Sequence, residues 1–275
     1  SEHFNVVTYG GTGVERDVTG FGFNPDFGWL KDRTSTGAHA LFDAVRGGNG
    51  SDLYVMRSNA GTAEAADGDQ VKAFVTDGFK VSTSAMVNNA SRNYVSWGWK
   101  AGTSQGSTAT GGSGTNKTYT ASYNVDASFS IVRYIGNGTA GHTIPHHLGV
   151  KPDLMMVKQT SGTGSWKVYA DVDLMGAEKY MELHNGAAIQ DNLFFNDTEP
   201  TTSVFTVGNH SDTNTNDETY VAYCWSSVEG YSKVGTYYGV GDVDGPFVYC
   251  GFRPAYLLLK STSLAEGWHV QDSGR

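Results

Sequence analysis

The chain has 275 residues and a formal net charge of −9, long enough to bury a substantial core and too poor in clustered Lys and Arg to track a nucleic-acid backbone. Its 36 glycines, with abundant Thr, Ser, Asn, Tyr, Val and Phe, favour short strands and tight turns over helices. Cys224 and Cys250 are too few for a disulfide framework and form no zinc-ligand set, and no run approaches the roughly 20 apolar residues of a membrane helix.

An all-β chain with no nucleic-acid partner and no membrane insertion is therefore expected. Each cysteine reads as a small buried hydrophobe, with a single bridge between them as the alternative. The N-terminal SEHFNVVTYG has no basic region or hydrophobic signal core and no initiator Met, so the chain reads as an interior segment or a processed product.

In chain order, the first predicted strand is HFNVVTYGG, His3 to Gly11, an alternating run that ends in an aromatic and a glycine turn. A second begins with PDFGWLK at Pro25, where a proline at the first strand position costs the ladder nothing. The closing strand NYVSWGWKAG places Val95, Trp97 and Trp99 on one face, and residues 1–100 read as one β-sandwich repeat.

Residues 101–127 open with Gly, Ser and Thr and read as a linker or long loop, with an edge strand at Tyr119 to Val125. The pattern then restarts with SFSIVRYIGNG, PDLMMVK from Pro152, and TYVAYCW with Val221, Tyr223 and Trp225 on one face, which makes 128–229 a second sandwich. GYSKVGTYYGVG and PAYLLLK from Pro254 begin a third copy over 230–275, read as truncated. The direct join between the second and third copies predicts a tight, rigid interface there.

The spacing holds across copies. Lys31, Lys158 and Lys260 each fall six residues after their proline, and Trp166 and Trp268 fall 14 after theirs, where the first copy has His39. The pairs Tyr54/Tyr180, Phe79/Phe205 and Tyr94/Tyr220 agree to within one residue. The aromatic faces of the closing strands are read as sandwich core. The half-copy at the end is expected either to belong to a longer array or to borrow a strand, from His3 to Tyr9 or from a neighbouring subunit.

With these motifs on the page, GHTIPHHLGVKPDLMMVKQTSGTGSWKVYADVDL, YVAYCWSSVEGYSKVGTYYG and DGPFVYCGFRPAYLLLKS resemble a domain that recurs in large virion proteins of tailed bacteriophages. The resemblance implies tandem antiparallel β-sandwich repeats of jelly-roll or concanavalin-like type. It also implies a non-enzymatic structural role in a tail fibre or spike of the virion, an extracellular particle. A homo-oligomer, with a trimer favoured, and other virion proteins are the implied partners. A capsid-surface decoration protein and a polysaccharide-degrading tailspike are the alternatives.

Glycoside cleavage needs two carboxylates about 5 to 9 Å apart. The nearest pattern, Asp171-Val-Asp173, places two acids on one strand face without counterparts in the other copies, so no catalytic residue is assigned. His142, His146 and His147 lie in GHTIPHH, where Pro145 spoils a helical metal site; a turn or a core-edge imidazole is the preferred reading, and no metal site is assigned. Acidic loops at Asp67 to Asp69, Asp212 to Glu218 and Gly241 to Gly245 offer about half the oxygens that Ca2+ takes; they are read as turns, with no cofactor expected. Host-surface polysaccharide is the candidate ligand, and Trp166, Tyr169 and Trp268 are the candidate sugar-stacking residues, weighed against a core or interface role.

Overall fold

The computed structural model of the chain describes every residue except Ser1, Asp67, Gly68, Leu174 and Arg275. The first copy contains β1 (Phe4–Gly10), β2 (Arg16–Thr19), β3 (Phe27–Asp32), β4 (Ala40–Asp43), β5 (Met56–Arg57), β6 (Val71–Val75), β7 (Gly78–Val81) and β8 (Asn93–Trp99). They make a large sheet of order β1-β8-β3-β4-β5 and a small sheet of order β2-β7-β6, all antiparallel.

The second copy contains β9 (Thr103–Ala109), β10 (Gly111–Gly112), β11 (Thr118–Asn124), β12 (Phe129–Ile135), β13 (His142–Pro145), β14 (Leu154–Gln159), β15 (Lys167–Ala170) and β16 (Lys179–Glu182). It continues through β17 (Gln190–Asp191), β18 (Val204–Val207), the short helix α1 (Ser211–Asn214) and β19 (Thr219–Trp225). Its large sheet repeats the first copy's order as β12-β19-β14-β15-β16, and its small sheet is β10-β13-β18. In residues 101–127 the strand expected at Tyr119 to Val125 is β11, and the part expected as a linker or loop instead forms β9 and β10, with β11 and β9 added beside β12. Alternation in Thr118–Asn124 buries Tyr119 and Ala121 and gives this polar segment a reason to pair.

Matching side-chain bonds fix the two copies to one plan. The Tyr9 and Tyr94 rings stack at 5.2 Å and 18°, as do those of Tyr134 and Tyr220. Tyr94 Oη accepts from Asn89 N and donates to Ala85 O; Tyr220 Oη accepts from Thr215 N and donates to Ser211 O. Buried Asn88 and Asn214 each tie three backbone groups together. A buried amide that satisfies several backbone groups stands in for regular secondary structure where the chain turns.

The large sheets bury both faces. One face covers the copy's own small sheet, around Phe21, Phe42 and Phe79 in the first copy and Tyr134, Phe195 and Phe205 in the second. At the centre of that face the first copy pairs Gly28 with Gly98, where a Cβ would lie 2.3 Å from the Phe42 ring and 2.5 Å from the Phe21 ring. The second copy pairs Met155 with Cys224 at the same place, and the small-for-large exchange keeps the volume filled.

The other face carries the tryptophans, and here the fold departs from expectation. Trp97, Trp99, Val95, Phe27 and Trp29 do not form the core of their own sandwich; they pack against Phe129, Ile131, Met156, Val221 and Tyr223 of the second copy. The layers therefore run small sheet, large sheet, large sheet, small sheet, with the longest aromatic residues at the central joint.

The third copy contributes the hairpin β20 (Tyr256–Leu259) and β21 (His269–Asp272). It equals β3–β4 and β14–β15 in register, and Tyr256, Leu258, Trp268 and Val270 join the same central core. Tyr256 lies edge-on to Trp97 and Trp99, at 5.6 Å and 5.5 Å. The predicted strand in Gly230 to Gly241 is not formed: beyond the Val228–Ser232 bridge the chain runs to Cys250 without a strand, with Tyr237, Tyr238 and Phe247 exposed. In the complete copies the equivalent strand is held through the closing strand β8 or β19, and among the described residues no such strand lies beside this segment. The segment His3 to Tyr9 does not complete the third copy, because β1 is paired along its length to β8.

Candidate functional site

The seams between copies are where the repeated motif residues converge. His39, Trp166 and Trp268 each immediately precede the strand that pairs with the proline-to-lysine strand. Trp166 Nε1 donates to Arg57 O of the first copy at 2.9 Å, and Trp268 Nε1 donates to Glu182 O of the second at 2.8 Å. Arg57 and Glu182 are themselves equivalent in register, opposite Ala40 and Lys167. One bond is thus repeated from first to second copy and from second to third. In the first copy Trp29 Nε1 donates to His39 Nδ1 at 2.8 Å, and the imidazole lies parallel to Trp97 at 6.3 Å.

The motif lysines also have one shared role. Lys31 Nζ donates to Asp32 O at 2.6 Å, Lys260 Nζ to Ser261 O at 2.7 Å, and Lys158 Nζ to Gln159 O. Lys260 also reaches Gly186 O of the second copy at 3.3 Å. Burial lowers the pKa of all three, that of Lys158 to about 8. The ammonium serves to close the turn after each strand by taking carbonyls that the ladder leaves open.

A buried polar cluster crosses the first seam. Arg46, fully buried, pairs with Asp43 and, at 3.2 Å, with Glu64. Tyr223 of the second copy donates its hydroxyl to Asp43 at 2.6 Å, and Glu64 N donates to Thr160 O at 3.0 Å. Burial works against the Arg46 charge, but Asp43, Tyr223 and Glu64 outweigh it and hold its pKa above the ordinary arginine value. The sequence signal for this cluster is an aspartate at one register position of the first and third copies, Asp43 and Asp272, where the second copy has Ala170; Trp97 Nε1 donates to Asp272 at 3.2 Å as the Tyr223 hydroxyl does to Asp43.

A cavity of about 430 Å³ touches all three copies, lined among others by Trp29, Lys31, His39, Asn59, Asn185 and Trp268. Of the three sugar-stacking candidates, Trp166 and Tyr169 are fully buried and offer no ring face to a ligand. Tyr169 donates to Glu199 at 2.6 Å, and burial, with Glu199 beside it, raises its pKa. Burial pushes the Glu199 carboxyl up, but Lys151, Tyr169 and the Ala177 N–H together hold it below the usual range. Trp268 alone stands half-buried, in the lining of the cavity with Lys31, Asn59 and Asn185.

The remaining candidates are distributed. His142 is buried between Asn214 Oδ1 at 3.0 Å and Thr110 Oγ1 at 2.7 Å, and burial lowers its pKa. His146 accepts from Leu148 N through Nδ1 at 3.2 Å, and burial lowers its pKa to about 4, so it is neutral at pH 7. His147 instead lies parallel to the Tyr119 and Tyr123 rings. Asp171 and Asp173 do not share a strand face: both lie in the turn after β15, and Asp171 pairs with Lys151 at 2.9 Å.

Asp212 caps Ser165 N at 3.1 Å and pairs with Lys167 at 3.2 Å, Asp242 accepts from Asp244 N at 3.2 Å, and Asp67 lies outside the described residues. Among the described residues no group of three or more His, Cys, Asp or Glu is placed to hold a metal ion. Cys224 is buried and Cys250 partly exposed, both as free thiols, and burial raises the Cys224 pKa to about 12.

No curated protein and no solved structure matches the chain. A family model matches it over residues 1–275, and the chain belongs to that family, described as Domain of unknown function (DUF7483).

Proposed function

We propose that the chain is a non-enzymatic structural module of a virion, part of a tail fibre or spike, in which tandem β-sandwich copies are joined into a rigid array. The observation that supports this reading is the repeated seam: Trp166 to Arg57 and Trp268 to Glu182 are the same bond made twice. A step that recurs between neighbours extends an array without new chemistry. The buried Arg46 cluster, Trp166 and Trp268 serve this joint, and the resemblance to tailed-phage virion proteins supplies the setting. Display of many copies on a homo-oligomer would convert weak surface contacts into firm attachment.

Antibody raised against the chain and viewed on purified phage particles by negative-stain electron microscopy tests the reading. Label on tail fibres or spikes is expected; label on the capsid surface favours a decoration protein, and unlabelled particles overturn the assignment. Incubation with host polysaccharide is expected to leave chain length unchanged, and shortened chains contradict the non-enzymatic role.

A glycan contact is favoured by one observation, the half-buried Trp268 ring on the 430 Å³ cavity beside Asn185 and Lys31. A glycan array should then show binding that Trp268→Ala removes; binding unaffected by that change contradicts this site.

A further inference from the structure

Each seam joins a giving face of one copy to a receiving face of the next. In the first seam the second copy gives Phe129, Tyr223 and Trp225, whose ring centroids lie 6.0, 4.5 and 6.4 Å from that of Phe27 in the first copy. Tyr223 also donates to Asp43 at 2.6 Å, and Trp166 to Arg57 O at 2.9 Å. The second seam repeats the step from third copy to second. Trp268 donates to Glu182 O at 2.8 Å, and Ile189 N donates to Thr262 O at 3.1 Å where the first seam has Glu64 N donating to Thr160 O at 3.0 Å.

The giving face of the first copy is also used, and its receiver is the third copy. Phe4, Trp97 and Trp99 hold in β1 and β8 the places of Phe129, Tyr223 and Trp225 in β12 and β19. Their ring centroids lie 5.7, 5.6 and 5.5 Å from that of Tyr256, which stands opposite Asp272 as Phe27 stands opposite Asp43. Trp97 Nε1 donates to Asp272 at 3.2 Å, as Tyr223 does to Asp43. Three steps of one kind, second to first, third to second and first to third, thus return to their start. A head-to-tail contact gives a filament when its rotation stays open and a cycle when it closes.

We propose that the three copies form a closed triangle about a pseudo-threefold axis, with the hairpin β20–β21 as its clasp, held by the second copy through Trp268 and by the first through Asp272. The step that would lengthen an array therefore turns back on itself. A fourth copy cannot enter by the same seam, because Tyr256 and Asp272 already receive the first copy, and Trp97 and Trp99 are already given to the third. Further copies, in this chain or another, join through other surfaces. The inference goes beyond the virion assignment and stands apart from it, since it rests on seam contacts among residues 4–272 alone.

Thr36, Thr163 and Ala265 each lie 11 residues after their motif proline and are exposed. Thr36→Cys, Thr163→Cys and Ala265→Cys, taken in pairs on a Cys250→Ser background, carry spin labels for pulsed distance measurements on the full chain diluted in unlabelled protein. The closed triangle predicts three nearly equal distances. A 36–265 distance about twice the other two describes an open line of copies and overturns the proposal. A 36–265 distance that dilution abolishes places the clasp on a second chain, and equally overturns it. Trp97→Phe and Asp272→Ala test the clasp without labels: the rise in the urea unfolding constant of the double variant should fall short of the product of the single rises by about twofold or more. A rise equal to that product overturns the clasp.

Discussion

Phe27 of the first copy and Tyr223 of the second stack with ring centroids 4.5 Å apart and planes 27° from parallel, and the Tyr223 hydroxyl donates to Asp43 at 2.6 Å. One side chain thus joins the shared apolar core to the buried ionic cluster. Tyr223→Phe keeps the ring and removes one donor from a buried carboxylate, an expected loss of about 1–3 kcal/mol. Tyr223→Ala adds the cavity, for about 3–5 kcal/mol. A double-mutant cycle with Phe27→Ala in urea should give a coupling of about 0.5 kcal/mol or more, and strict additivity would separate the two residues energetically.

Trp166 and Trp268 occupy equivalent positions and differ in burial, which makes them a matched pair. Trp166→Phe loses the bond to Arg57 O and some fully buried area, and should destabilise by about 2–4 kcal/mol. Trp268→Phe should cost less than half of that, because water reaches the site and can satisfy Glu182 O. Urea midpoints of the two variants decide the order.

Asn214 is fully buried; it accepts from Asn137 N at 2.8 Å and donates to Gly208 O at 2.7 Å and Thr139 O at 2.9 Å. Asn214→Ala orphans these groups together, for an expected loss of about 3–5 kcal/mol, and Asn88→Ala should cost about as much in the first copy. A loss under about 1 kcal/mol at either site would mean that water or the backbone replaces the amide.

His146 gives the acid sensitivity a defined window. Its unfolded imidazole titrates near pH 6.5 and its folded one at about 4, so between these values the unfolded chain binds more protons and stability rises with pH. The contribution is fully present above about pH 6.5 and is lost as pH falls towards 4, about 3 kcal/mol in all. His142, also lowered by burial, steepens the same slope. Stability measured from pH 7 to 4 should fall, and His146→Gln should flatten part of the decline.

The all-β class, the antiparallel repeat and its spacing were legible because they rest on period-two strands and fixed offsets, and Lys31, Lys158 and Lys260 proved to make one common bond. What alternation could not say was which face meets which neighbour. Trp97 and Trp99 share a face whether that face covers their own sandwich or the next copy. Trp166 and Tyr169 look alike as sugar platforms in sequence, yet they alternate along the chain into the two different cores. The strands β9 and β10 were obscured because they are built of Ser, Thr and Gly with little burial, and the Arg46 cluster because alternation marks apolar faces and not buried charges.

The central claim is that the copies fold around one shared core rather than as beads on a string. Hydrogen exchange on Phe27→Ala tests it most directly. The shared core predicts that amides of β12, β14 and β19 lose protection together with those of β3 and β8; loss confined to residues 4–99, with the second copy unchanged, would contradict it.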